Sequence, residues 1–200
     1  MPQQSRGYPA FFVMNPARIV TAAICLLAVA ACSPRLDWRE VRQPTQGYVV
    51  ALPDKPQTVV REISFDHPAG QVRAEMTMLS TGVGGSMFAV GSARLPPFAL
   101  EPQALAATLA WFSDGLLRNV QAASATLAET TPPAGLGTRM LRAARAFSVA
   151  GKAGDGRPAR LAVRLYVVDD RLFQLVALGA ESEIPPQALE TFFDSFRLAP

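Results

Sequence analysis

The chain has 200 residues, half of them hydrophobic and 18% charged, with a formal net charge of +3. That length allows one domain with a sizeable core. The dispersed arginines, with only Lys55 and Lys152 as lysines, leave no composition-level case for nucleic acid as a partner.

In chain order, the first element is an apolar run. Ile19–Val29 is broken only by Thr21, follows Arg18 with no acidic residue before it, and closes on Val29-Ala30-Ala31-Cys32. It is short of the roughly 20 residues needed to span a bilayer and reads as the h-region of a signal peptide. Small side chains ahead of Cys32 suit a peptidase cleft that admits little else. The segment resembles the signal peptides of bacterial lipoproteins over roughly residues 14–33. The resemblance implies cleavage between Ala31 and Cys32, diacylation of Cys32, and acylation (palmitate or a similar chain) of its freed amine. Ser33 stands where inner-membrane lipoproteins of Gram-negative bacteria carry Asp, which implies the periplasmic face of the outer membrane. Met14 offers a more ordinary start than Met1, and either leaves the same mature chain of residues 32–200. That chain loses Arg6 and Arg18, so 17 basic residues face 16 acidic ones. Its sole cysteine is the lipid site, which excludes disulfides, thiol catalysis and Cys-based metal sites.

Residues 33–46 are polar, with Pro34 and Pro44, and read as a tether in which Trp38 docks either on the domain or at the membrane interface. The domain is expected over 47–200. Tyr48–Leu52 and Thr58–Phe65 read as strands, with Asp66–Gly70 as a surface turn. Gln71–Ser80 alternates Val72, Ala74, Met76 and Met78 against polar residues, a strand with one buried face. Gly82-Val83-Gly84-Gly85 turns the chain into Met87–Leu95. Pro96-Pro97 ends the sheet, and Pro102 suits the first turn of a helix. Leu105, Leu109, Phe112, Leu116 and Val120 then form one apolar stripe over 101–120. Ala122–Gly137 reads as loop or ragged helix end. Strands follow near Thr138–Val149, Ala159–Asp169 and Arg171–Ala180, with hairpin loops at Gly151–Pro158 and Asp169-Asp170. A last helix begins at Pro185-Pro186 with Leu189, Phe192, Phe193 and Phe196 on one side.

The order ββββ-α-βββ-α implies an α+β domain of six to seven mostly antiparallel strands packed with two helices. Strands carrying Arg164-Leu165-Tyr166 and Phe173-Gln174-Leu175, with the closing Phe192-Phe193-Asp194-Ser195-Phe196, resemble the Mog1/PsbP-like fold as it occurs in uncharacterised proteobacterial lipoproteins. The resemblance covers about residues 47–198. It implies an accessory or binding role and transfers no catalytic motif.

Candidate chemistry is sparse. His67, the only histidine, falls in the expected surface turn with no Gly-x-Ser-x-Gly elbow elsewhere, and a solvated turn residue is expected. Met76, Met78, Met87 and Met140 with His67 offer a Cu(I) donor set, against ordinary core filling. Gly82–Gly85 lacks phosphate-loop spacing and joins strands. The carboxylate pairs Asp169/Asp170 and Glu181/Glu183 read as turn and helix-start residues. The arginine-rich strands make Arg142, Arg160 and Arg164 a candidate patch for an anionic partner. No cofactor or metal is expected. The expected function is a non-enzymatic, lipid-anchored binding or assembly module with an envelope protein partner. The alternative is a carrier whose pocket, between sheet and helix, holds a small apolar ligand or lipid.

Overall fold

The computed structural model describes residues 36–180 and 182–200. Ala31, Cys32 and the whole segment 1–31 lie outside the described residues, as does Glu181. The domain is α+β, as expected. Among the described residues, ten strands form two antiparallel sheets: β1 (Arg39–Gln43), β2 (Tyr48–Leu52), β3 (Gln57–His67), β4 (Gly70–Val83), β5 (Ser86–Arg94), β6 (Ala128–Glu129), β7 (Leu141–Lys152), β8 (Pro158–Val168), β9 (Arg171–Gly179) and β10 (Arg197–Leu198). The helices are α1 (Pro102–Asn119) and α2 (Pro186–Ser195), with a 3-10 turn at Pro97–Leu100. The large sheet has the order β3-β4-β5-β9-β8-β7-β6, and the small one β1-β2-β10.

The large sheet is covered on both faces, and the sequence of its middle strand shows why. In β9, Leu172 and Val176 face the core under α1, while Phe173, Leu175 and Ala177 face the core under α2 and the small sheet. A strand buried on both sides needs no polar alternation. β4 keeps its alternation because its outer half is covered on one side only: Val72 and Met76 are buried, and Arg73 and Glu75 are exposed. The α1 stripe of Leu105, Leu109, Phe112, Leu116 and Val120 lies in the first core. The second core gathers Tyr48, Tyr166, Phe173 and Phe196, with Tyr166 and Phe196 stacked at 5.7 Å. Ser195 clasps α2 to β2: its Oγ accepts the Ala51 N–H at 2.9 Å and donates to the Phe192 carbonyl at 2.8 Å.

Tight turns set the strand registers. Gly84 and Gly85, both at positive φ, form the two-residue loop between β4 and β5, a backbone that L side chains resist. Asp169, also at positive φ, ties the β8–β9 turn to the chain before β7. Its carboxylate accepts the Met140 N–H, and its own N–H donates to the Met140 carbonyl, both at 2.9 Å.

Four expectations are corrected. The tether is too long: Arg39–Gln43 forms β1, paired with β2 from Arg39↔Leu52 to Gln43↔Tyr48. Its exposed Arg39, Glu40 and Arg42 hide the strand in the sequence, while Leu36, Trp38 and Val41 pack on the second core. Trp38 thus docks on the domain, edge-on to Phe88 at 5.9 Å. The segment 122–137 contains β6, and the chain end contains β10, each only two residues long. His67 is not a solvated turn residue. It ends β3, is buried, and bonds through Nε2 to the Ala104 carbonyl at 3.0 Å, while Nδ1 accepts the Ala69 N–H at 3.1 Å.

Candidate functional site

The site begins with missing side chains. On the α1-facing side of β5, Ala89, Gly91 and Ala93 are all small, and across from them α1 carries Gly115. A glycine inside a helix weakens it by about 1 kcal/mol relative to Ala, so its presence calls for a packing reason. A Cβ on Gly115 would meet nothing closer than Arg118 Nη2 at 3.7 Å. Met76 lies over Gly91, its Cε 3.2 Å from where a Cβ would stand, and the space left between helix and sheet is a cleft of ≈ 290 Å³.

Its walls are apolar. Met76 and Met78 come from β4, Met87 from β5, Trp111 and Leu116 from α1, and Leu161 from β8. Trp111 is fixed by stacking on Phe65 at 4.2 Å. Among the described residues, Arg61, Asn119 and Gln174 bring polar side chains to the cleft beside the Trp111 indole, and no carboxylate lines it. β3 and α1 run past each other, with His67 against Ala104 and Phe65 against Trp111. That direction places Arg61 toward the last turns of α1, where Asn119 sits. Arg61 is exposed and has no ion pair among the described residues. Gln174 is 6% exposed, faces the cleft between Leu172 and Val176, and makes no side-chain hydrogen bond among the described residues.

A second hollow of ≈ 260 Å³ lies by Arg94, Arg139 and Arg171. Its polar groups satisfy one another. Gln46 accepts from Arg171 and, at 2.7 Å, from Ser92 Oγ, and donates to Thr77 Oγ1 at 3.1 Å. Arg139 donates to the Ala199 carbonyl at 2.8 Å, and Arg94 pairs with Asp170 at 2.9 Å. Burial, then the nearby Arg94, holds the Arg171 guanidinium below its usual pKa. This network joins the two sheets, so it already has a structural role.

The arginines singled out from sequence are separated. Arg160 and Arg164 share one face of β8, roughly 13 Å apart at strand rise. Arg160 donates to Ser148 Oγ at 3.0 Å. Arg164 pairs with Asp194 at 3.0 Å and lies over the Phe193 ring at 4.8 Å. Arg142 occupies the register shift between Leu141 and Ala143 and donates to the Asp169 carbonyl at 2.7 Å. Of the four methionines, Met76, Met78 and Met87 do meet in the cleft; Met140, 59% exposed, and His67 do not join them. Asp169 and Asp170 serve the β8–β9 turn. Glu183 lies against Gly85, with Oε2 buried and unbonded among the described residues. No group of His, Cys, Asp and Glu fit to hold a metal occurs among the described residues.

Arg61, Gly115, Asn119 and Gln174 escaped the sequence reading. The one usable signal was Gln174, a lone amide inside Leu172-Phe173-Gln174-Leu175-Val176. No known family model matches the chain, and no curated protein matches it.

Proposed function

We propose that the chain is a non-enzymatic lipoprotein of the cell envelope, held by acylated Cys32 on the periplasmic face of the outer membrane. Its domain binds a small apolar ligand or lipid. The observation that carries the binding role is the methionine-lined cleft between α1 and the sheet, a concave apolar site with a few polar groups. Cys32 after Val29-Ala30-Ala31 supports the anchor, and each acyl CH₂ in the bilayer contributes about 0.8 kcal/mol. His67, the histidine a hydrolase would need as base, is committed to Ala104 and Ala69.

The test uses the full chain in phospholipid nanodiscs with ¹³C-labelled methionine methyls. Adding decane is expected to shift Met76, Met78 and Met87 and to spare Met140. Three unmoved cleft methyls would reject the site.

A second reading, an assembly module for an envelope protein, is favoured by the outer edge of β3. This long strand closes one side of the large sheet and exposes Val59 and Val60, the kind of edge to which a partner strand adds. A photoreactive residue at Val60 is expected to cross-link one envelope protein in cells, and labelling no more specific than at Val59's exposed neighbour Thr58 would reject this reading.

A further inference from the structure

We infer that the cleft takes a single-chain carboxylate with a second oxygen function toward its far end, in the class of hydroxy- or oxo-fatty acids. The inference rests on the cleft-binding reading and adds the class of ligand. Size comes first. At ≈ 290 Å³, the cleft stands at the foot of the range of about 300–1,000 Å³ for ligand sites, so it holds one chain of moderate length and excludes a two-chain phospholipid. Its walls suit a chain without fixed shape, because Met76, Met78 and Met87 are unbranched and adjust.

Charge selects the head. Arg61 lines the cleft without an ion pair among the described residues, and Arg118 Nη2 lies beside Gly115. Arg61 in the lining, with Arg118 at its rim, outweighs the half-charge of carbonyls at the end of α1, and among the described residues no carboxylate lines the cleft to neutralise it.

Gln174 selects the other end. Gln174 lines the cleft, makes no side-chain hydrogen bond among the described residues and keeps its amide atoms accessible, so its donors and acceptor are free to meet a ligand oxygen. Across the sheet from Arg61 the strand order is β3-β4-β5-β9, three steps of about 4.8 Å, or roughly 14 Å between the two backbones. A carboxylate at Arg61 therefore points its chain across the methionines toward an amide able to donate to, or accept from, a hydroxyl or carbonyl.

The experiment titrates the full chain in nanodiscs with dodecanoate, 12-hydroxydodecanoate and 1-dodecanol, reading the cleft methionine methyls. Each ligand's partitioning into empty nanodiscs is measured alongside, so affinities of different ligands are compared at equal free concentration, and between variants the partitioning cancels. The expected order places 12-hydroxydodecanoate about fivefold tighter than dodecanoate, one net hydrogen bond. Gln174→Leu is expected to erase that ratio. Arg61→Gln is expected to weaken both acids roughly fivefold while leaving the alcohol unchanged. Gly115→Leu, which fills the cleft from the helix side, should abolish all three. If 1-dodecanol binds as well as the acids, or if Gln174→Leu leaves the ratio unchanged, the ligand class is wrong and the apolar cleft survives. If Gly115→Leu changes nothing, the cleft reading falls with it.

Discussion

Gly115 separates stability from binding at a single residue. Leu there gains helix propensity, about 0.8 kcal/mol over glycine, and its Cβ meets only the Arg118 guanidinium, in ordinary contact at 3.7 Å, so thermal denaturation should show a higher Tm together with loss of ligand. A lower Tm would mean that the cleft is already filled. Gly151 behaves in the opposite way: a Cβ would fall 2.2 Å from the Val120 carbonyl oxygen, which also accepts the Lys152 N–H at 2.8 Å. Gly151→Ala should cost about 1–3 kcal/mol in urea unfolding. Tyr48 is fully buried, its hydroxyl without a partner among the described residues, and burial pushes its pKa well above the ordinary tyrosine value. Tyr48→Phe should therefore be neutral or stabilising by about 1 kcal/mol at neutral pH. The sign at alkaline pH follows from linkage. Tyr48 stays protonated in the fold while the unfolded chain ionises above about pH 10, so stability is unaffected below that pH and declines progressively as pH rises from there toward the raised pKa of the fold. Tyr48→Phe should make the alkaline decline shallower, as read by unfolding at stepped pH.

Among the elements, those with their own periodicity were legible. The α1 stripe, the one-sided alternation of β4 and the α2 aromatics each bury a face that the residue spacing already marks. What escaped depends on partners distant in sequence. β1 offers only Val41 as an apolar strand residue and forms because β2 and the second core receive it. β10 is two residues, yet Leu198 is buried and its N–H bonds the Ala134 carbonyl at 2.9 Å. Leu198→Ala should cost about 2–4 kcal/mol, measured by chemical denaturation; a change below about 0.5 kcal/mol would show that the small sheet does not need its third strand. The cleft was illegible for the same reason. It arises where small residues on β5 meet Gly115 on α1, and no local pattern reveals that those positions face one another. Gln174 alone carries a local signal, a polar break in a doubly buried strand, and it too escaped notice as a site residue.

Across the whole molecule, the two halves of the functional reading rest on different residues. The anchor rests on the sequence around Cys32, and the binding role rests on the space between α1 and the sheet. One measurement joins them: native mass spectrometry of the chain recovered from its own membranes, beside the Gly115→Leu variant. The expected species is residues 32–200 with three acyl chains on Cys32 and an additional, non-covalently bound single-chain acid that is absent from the variant. A mature chain without acyl groups at Cys32, or an acylated chain with the same bound mass in wild type and variant, would contradict the account.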